Sequence, residues 1–433
     1  MKSTSFARGF EIAKLATRLA IKELQAGDLK SRVEQAALIA KSLSRLKGAA
    51  MKAGQLLSLD LETYFPPEAI EILSQLQHSA ESHPFEEIEE IMNSKIKNPH
   101  RRLIESIAEF PIGVASIGQV HKARYNDRDI VLKIQYPRIS ASIDSDLKIL
   151  KSLSKSFCKL TGRKMNLDPL FKEFRSMLKQ EIDYKLEADF QKTFQQKLLK
   201  LNQTSGFLYR VPEVIDELSS KTILAMSFES GLTLRNWLNT NPTKSQKDRI
   251  GKAVLDLYFH EFFSWGLVQT DPNWGNFLVD QKGDQLSICL LDFGATRSYS
   301  RDFITDYVTL LDLASKSNSQ DLRSQAIKLG LIDTRESDLA FSSLEEILRF
   351  AIHPFFYTES SGYFDFSDRN HLLESQVAVK ALLQELVYSP PPYSIVFLHR
   401  KLAGVYSILK SLEVKLDISP YWQLMKDLSK AAG

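Results

Sequence analysis

Apolar positions along this chain alternate between two periods, and the changes of period divide it. Near the start, Phe6, Phe10, Ala13, Ala16 and Ala20 recur at helical spacing, with Arg8, Lys14, Arg18 and Lys22 nearby. A basic amphipathic helix of this kind lies on an anionic membrane surface or packs its apolar face on the domain, and packing is favoured here. The segment Arg45–Asp60 puts Gly48, Ala49, Ala50, Ala53 and Gly54 on successive turns. Two glycines inside a helix cost roughly 1 kcal/mol each against alanine, so close approach to another element is expected. Residues 68–106 read as further helices, with Pro84 and Pro99 marking turns.

At residues 108–135 the period falls to two. PIGVASIGQVHKARY, a turn at Asn126-Asp127 and DIVLKIQYP read as a strand pair and a further strand. Helix returns over residues 140–200, where Asp168-Pro169 makes an N-cap and first-turn pair. Phe171, Phe174, Leu178 and Ile182 form the buried stripe of a helix that also carries Glu181, Asp183 and Glu187. Two strands around Ser219-Ser220 lead to Met226-Ser227-Phe228-Glu229, and a helix rich in Leu, Tyr and Phe covers 246–268. A hairpin turning at Gly283-Asp284 follows, its second strand containing the apolar run Ile288–Leu291. Beyond Gly294 the pattern is mostly helical. Pro390, Pro391 and Pro392 interrupt it before a basic-apolar helix, His399–Leu412, in which nothing looks catalytic.

Composition narrows the class. A chain of 433 residues holds roughly two to three domains' worth of sequence. A net charge of only +3 implies no strong field for nucleic acid, so no nucleic-acid partner is expected. Cys158 and Cys289 fit no zinc spacing and no disulfide framework, which points to a reducing compartment. His260 and His399 have no second histidine at ligand spacing and read as structural. No apolar run approaches the ~18 residues of a membrane span, and no signal-peptide core stands at the start. The expectation is a cytoplasmic protein that touches membrane only peripherally.

The chemistry concentrates in Gln269–Gly294. Asp271 is followed five residues later by Asn276, and the apolar run then delivers Asp292 into Asp-Phe-Gly. Protein kinases use the same order in their catalytic and metal-binding loops. Mg²⁺ on ATP phosphates needs hard oxygen ligands, and Asn276 and Asp292 supply an amide oxygen and a carboxylate. Asp271 stands where a carboxylate accepts a proton or orients an attacking hydroxyl. Lys133, in V-L-K-I, shares a strand face with Val131 and Gln135, where kinases place a lysine that holds phosphates. The preceding loop holds only Gly113 and Gly118 and does not match G-x-G-x-x-G. Lys52 and Gln55 share a helix face, and Asp183 and Glu187 are one turn apart. Met226–Glu229 stands where a kinase-like fold has its hinge, at which backbone groups pair with adenine.

These motifs together resemble the UbiB-type, or aarF-domain, atypical kinase-like family tied to ubiquinone biosynthesis, in its mitochondrial and proteobacterial branch. The resemblance rests on K-x-G-Q at Lys52–Gln55, the alanine-rich loop PIGVASIGQVH with Ala115 and Ser116, and the V-x-K strand with Lys133. It rests also on E-x-D at Glu181 and Asp183, and on QTDPNWGN with DFGATR. It runs from about Arg45 to PPPYSIVFLHRK. It implies an α+β, two-lobed protein-kinase-like fold with a family-specific N-terminal helical extension. The domains would be 1–106 for the extension, 107–229 for the N-lobe and 230–433 for the C-lobe.

By that resemblance Lys133 contacts ATP phosphates and pairs with Glu187, although Asp144 or Asp146 stands nearer the usual interval. Ala115, Ser116, Met226 and Phe228 also line the ATP site, Asn276 and Asp292 hold Mg²⁺, and Asp271 takes the catalytic-base position. Lys52 and Gln55, with Glu181 and Asp183, form a lid over the site where a protein substrate would bind. Gly113 and Val114 replace two alanines of the usual loop, and Gln269-Thr270 replaces the histidine found before Asp271 in the wider family. The resemblance implies an ATPase or small-molecule kinase supporting ubiquinone synthesis, with a quinone-precursor lipid and ubiquinone-biosynthesis proteins as partners. A true protein kinase and a nucleotide-sensing scaffold are the other readings. In a eukaryote the location would be the matrix side of the mitochondrial inner membrane.

Overall fold

In the computed structural model the described residues are 82–115, 117–137, 139–160, 168–316, 319–368, 373–374, 377–379, 381–382, 385–386 and 393–430. The expectations for the basic N-terminal helix, for Lys52 and Gln55, for Ser116 and for Pro390–Pro392 lie outside them. The chain divides into two compact units, Met1–Ala188 with Glu213–Phe228, and Asp189–Pro212 with Glu229–Gly433.

The first unit is built on a five-stranded antiparallel sheet. Its strands are β1 (Ile104–Ile107), β2 (Gly113–Val114), β3 (Gly118–Tyr125), β4 (Arg128–Gln135) and β6 (Ile223–Ser227), with β5 (Leu208–Arg210) in the other unit. The order is β1-β3-β4-β6, and β2 pairs with β3. The β3–β4 hairpin turns at Asn126 and Asp127, both at positive φ, 47° and 60°. Two left-handed residues give the turn whose twist suits a hairpin, and Asn and Asp tolerate that region better than most. Alternation on β4 sends Ile130, Leu132 and Ile134 into a core with Ala123, Ile223 and Ala225. Ile88, Met92 and Ile96, from the helix Phe85–Lys95, fill the same core. That packing joins the described part of the expected extension to the sheet. Residues 104–106, expected as helix, form an edge strand against β3.

The helix expected to carry Glu181, Asp183 and Glu187 together is broken. One helix ends at Glu181 and another begins at Tyr184. Asp183 makes the break: its Oδ1 accepts from the backbone N–H of Lys185 at 3.2 Å and of Leu186 at 3.3 Å. That is N-cap chemistry, which satisfies donors at a helix start that have no partner within the helix. Apolar periodicity continues across the break, with Phe174, Leu178 and Tyr184 all buried, so the pattern alone conceals it.

The second unit holds a four-stranded sheet in the order β5-β10-β9-β7. β7 is Leu232–Thr233, β9 is Phe277–Lys282 and β10 is Gln285–Leu290. The β9–β10 hairpin turns at Gly283, φ 59°, as the sequence suggests. β5 pairs in parallel with β10, Leu208 to Arg210 against Ser287 to Cys289. Phe194, Leu198 and Leu201 join the core that includes Phe262, Ile288 and Phe293. These two contacts move Asp189–Pro212, expected with the strand-rich domain, into the second unit.

The helix Lys244–Phe259 starts on a reciprocal cap between Thr243 and Gln246 and continues as a π-helical turn, His260–Ser264. It stops before Gly266, φ 57°, so residues 267 and 268, expected as helix, belong to strand β8 (Leu267–Gln269). β8 pairs with β11 (Thr296–Ser298). Among the described residues no helix is long and apolar enough to cross a membrane.

Candidate active-site residues

The expected site residues divide between the two units, and each set is built differently. In the first unit, β4 presents Lys133 from the face opposite Leu132 and Ile134. Its Nζ lies 2.7 Å from Glu187 Oε1, with the two side chains only 12% and 1% exposed. Glu187 sits in the first turn of its helix, where negative charge complements the helix dipole. The Tyr184 ring lies 5.2 Å from the same Nζ. Asp144, nearer in sequence, is held elsewhere by Arg175 through contacts of 2.6 and 3.0 Å. Lys133 is therefore a largely buried cation oriented by a buried carboxylate. Gly118 lets β3 approach closely: a Cβ there would lie 2.5 Å from the Ile134 carbonyl oxygen and 2.7 Å from the Tyr184 hydroxyl.

Glu181 is buried at the end of its helix, and Asp183 caps the next one. Their expected partner Lys52 lies outside the described residues. Ala115 donates its N–H to the Gly118 carbonyl at 2.8 Å. Met226 is buried on β6, and Phe228 lies under the Lys122 ammonium at 4.4 Å. The backbone N–H groups of Ser227 and Phe228 already donate to the carbonyls of Glu213 and Asp129, at 2.9 and 3.0 Å. Those two N–H groups are engaged within the sheet and its flanking loop.

In the second unit, a frame of hydrogen bonds fixes the three polar residues together. Asn276 Nδ2 donates to Asp271 Oδ2 at 3.2 Å. The N–H of Leu291 donates to the Asn276 carbonyl at 3.0 Å, one residue before Asp292. Asp292 Oδ1 accepts from the Gly294 N–H at 2.9 Å. The Thr270 N–H and hydroxyl both donate to the Ala295 carbonyl, at 3.2 and 2.7 Å. The β8–β11 ladder, Thr296 against Gln269, extends this link. Asn273 Oδ1 accepts from Gly275 N–H at 2.9 Å and shapes the turn that brings Asn276 back to Asp271.

Two residues from the C-terminal half enter this frame without a signal noticed in the sequence. Arg400 Nη2 lies 3.4 Å from Asp271 Oδ1. Lys401 Nζ lies 2.9 Å from Glu261 Oε2, with side chains 3% and 0% exposed, and 3.4 Å from Gln269 Oε1. Burial holds the Glu261 carboxyl above its usual range, and Lys401 opposes that shift. The signal available was an acid in the apolar run HEFF and the adjacent cations Arg400 and Lys401 amid the apolar positions of their helix. The helix Tyr393–Ser411 approaches the Asp271 loop at Gly404, where a Cβ would lie 1.9 Å from Pro272 Cβ. Gly404→Ala is expected to destabilise the protein by about 1–3 kcal/mol through overpacking, measurable by denaturant unfolding. A neutral result would show that the loop yields.

An antiparallel sheet carrying an ion-paired lysine, with Asp271, Asn276 and Asp-Phe-Gly on linked loops, defines a kinase-like fold. The class is that of an atypical kinase-like phosphotransferase or ATPase. The chain belongs to the ABC1 atypical kinase-like domain family, whose model matches residues 75–326. It is 31% identical over 403 residues to the probable serine/threonine-protein kinase abkA of Dictyostelium discoideum, covering 90% of this chain and 70% of that protein. It is 32% identical over 372 residues to the mitochondrial atypical kinase COQ8 of Saccharomyces cerevisiae, covering 85% of this chain and 71% of that one. Against the mitochondrial atypical kinase coq-8 of Caenorhabditis elegans it is 31% identical over 383 residues, which is 88% of this chain but 49% of the relative. The chain thus spans from about half to about seven-tenths of these relatives' lengths. The solved structure of Rv3197 from Mycobacterium tuberculosis, in complex with erythromycin, shares the fold at a TM-score of 0.59 and 24% identity, covering 92% of this chain and 96% of that one.

Proposed function

We propose that this protein is a Mg²⁺-ATP-dependent ATPase or small-molecule phosphotransferase that supports ubiquinone biosynthesis. The observation that carries the reading is the Lys133–Glu187 pair, a cation fixed at 2.7 Å by a buried carboxylate 54 residues away. A lysine so held keeps its direction, as a phosphate ligand must. Asp271 is the group that orients or deprotonates the attacking hydroxyl, and Arg400 holds one of its oxygens in place.

The donor set fits Mg²⁺. The Asn276 amide gives its N–H to Asp271, which leaves its oxygen as the coordinating atom, and Asp292 adds a carboxylate steadied by the Gly294 N–H. One carboxylate and one amide suffice for an ion that takes further ligands from water and phosphate. When bound, the ion neutralises phosphate charge; the residues of this chain hold the reactants in line. The pathway, a quinone-precursor lipid as acceptor or cargo, and a peripheral position at the inner membrane, on the matrix side in a eukaryote and on the cytoplasmic side otherwise, rest on the family resemblance and on the mitochondrial names of relatives.

The test follows the γ-phosphate of labelled MgATP with the purified chain. Free phosphate, or label on an added phenolic lipid mimic, would support the proposal. Stable label on protein would favour the protein-kinase reading. Tight binding without any product would leave a scaffold. Glu187→Gln is expected to raise the KM for ATP about tenfold, because a neutral amide orients Lys133 less firmly. Steady-state kinetics would detect it, and an unchanged KM would remove Glu187 from the site.

A further inference from the structure

The second unit contains a cavity of about 650 Å³ beside the later turns of the helix Tyr184–Asn202 and the π-helical turn His260–Ser264. Lys197, Lys200, His260 and Trp265 are among its lining residues. The volume is that of a small-molecule pocket. None of the lining residues belongs to the nucleotide set proposed above.

Its charge is unbalanced. Among the described residues no carboxylate pairs with Lys197 or Lys200. Burial, then the positive charges of Lys200 and Arg301, push the Lys197 ammonium below its usual range. Arg301 cannot swing away, since its guanidinium donates to the carbonyls of Phe263 at 2.9 Å and Ser264 at 2.5 Å. Lys197 and Lys200 thus line the recess with like charge, Arg301 adds to the repulsion felt by Lys197, and an anion is the group that would relieve it. The recess also has an aromatic wall. Lys197 Nζ lies 5.7 Å from the Trp265 ring, and His260 stands 6.0 Å from that ring at an interplanar angle of 32°. The Trp265 ring is itself held edge-on by Phe194 at 5.9 Å.

We propose that this cavity binds a phosphate monoester with an aromatic or apolar body, its phosphate between Lys197 and Lys200 and its body against Trp265. Two paired ammonium donors favour a doubly charged oxyanion, and the volume exceeds what a bare phosphate fills. A soluble phosphate ester and a lipid phosphate headgroup share this chemistry.

The full chain is titrated at low ionic strength with phenyl phosphate, inorganic phosphate and phenol, following tryptophan emission and binding heat. Phenyl phosphate is expected to bind at least tenfold more tightly than either fragment. Lys197→Gln with Lys200→Gln should weaken it at least tenfold without lowering the melting temperature. Trp265→Phe should abolish the emission change while heat still reports binding. Asp292→Asn should leave the affinity unchanged, which separates this cavity from the nucleotide residues and makes the outcome independent of any ATP turnover. Co-sedimentation with phosphatidylcholine vesicles, only when phosphatidic acid is included and only with both lysines present, would assign the lipid source; no sedimentation would assign the soluble one. Affinity unmoved by the lysine pair, or inorganic phosphate binding as tightly as phenyl phosphate, would overturn the proposal.

Discussion

Asp292→Asn is expected to lower MgATP turnover by about 10²–10³-fold, the scale of losing one preorganised charge contact in an active site. The substitution keeps the shape. An Asn at this position still accepts from the Gly294 N–H through Oδ1, so the loop keeps its 2.9 Å anchor. What disappears is the negative charge beside Asn276 and Asp271. Affinity for the divalent ion falls with it, so the Mg²⁺ concentration for half-maximal activity rises while the melting temperature holds. That combination separates loss of a metal ligand from loss of structure. Turnover within threefold of the parent would remove Asp292 from the chemistry and, with it, the enzymatic reading.

Lys401→Met is expected to destabilise the protein by about 3–5 kcal/mol, because it leaves Glu261 as a buried carboxylate without its cation. In a unit of this size that lowers the melting temperature on the order of 10 °C. The pH dependence has a definite sign. Burial raises the Glu261 pKa in the folded state, and Lys401 is what opposes the rise. Without the lysine, the folded state binds the proton more tightly than the unfolded chain. The variant is then most stable below the usual carboxylate range and loses stability as pH rises through the folded pKa. Glu261→Gln added to Lys401→Met removes the stranded charge and should restore most of the loss, since a Gln there can still meet Gln269. A double variant as unstable as the single one would mean that lost packing, not charge, sets the cost.

Strand alternation made β4 legible, and with it the side on which Lys133 stands. The two hairpins were legible from Asn126-Asp127 and Gly283-Asp284, because turn chemistry is local. The spacing from Asp271 to Asn276 to Asp292 was legible as a loop constellation for the same reason. The helix break at Asp183 was not, since a cap residue inside a continuing apolar stripe gives no change of period. Nor was the allegiance of β5, whose parallel partner lies far along the chain. Arg400 meets Asp271 across 129 residues, and no local pattern marks such a contact. Sequence also shows where the strand Ile223–Ser227 ends, but not that the N–H groups of Ser227 and Phe228 are taken by the carbonyls of Glu213 and Asp129.

The interleaving of the two units bears on synthesis at the ribosome. The first unit lacks its edge strand β6 until Ser227 is made, and by then β5 has already been made. β5 must wait for β10: Arg210 and Ser287, which hydrogen-bond in the finished protein, are separated by 77 residues. At a translation rate of ~5–20 residues per second, the wait is about 4–15 s. During it, the apolar face around Tyr209 and the helix residues Phe194 and Leu198 lack the part of their core that β10 supplies, Leu286, Ile288 and Leu290. That interval is when a chaperone has most to shield, and slowing elongation before residue 290 would lengthen it.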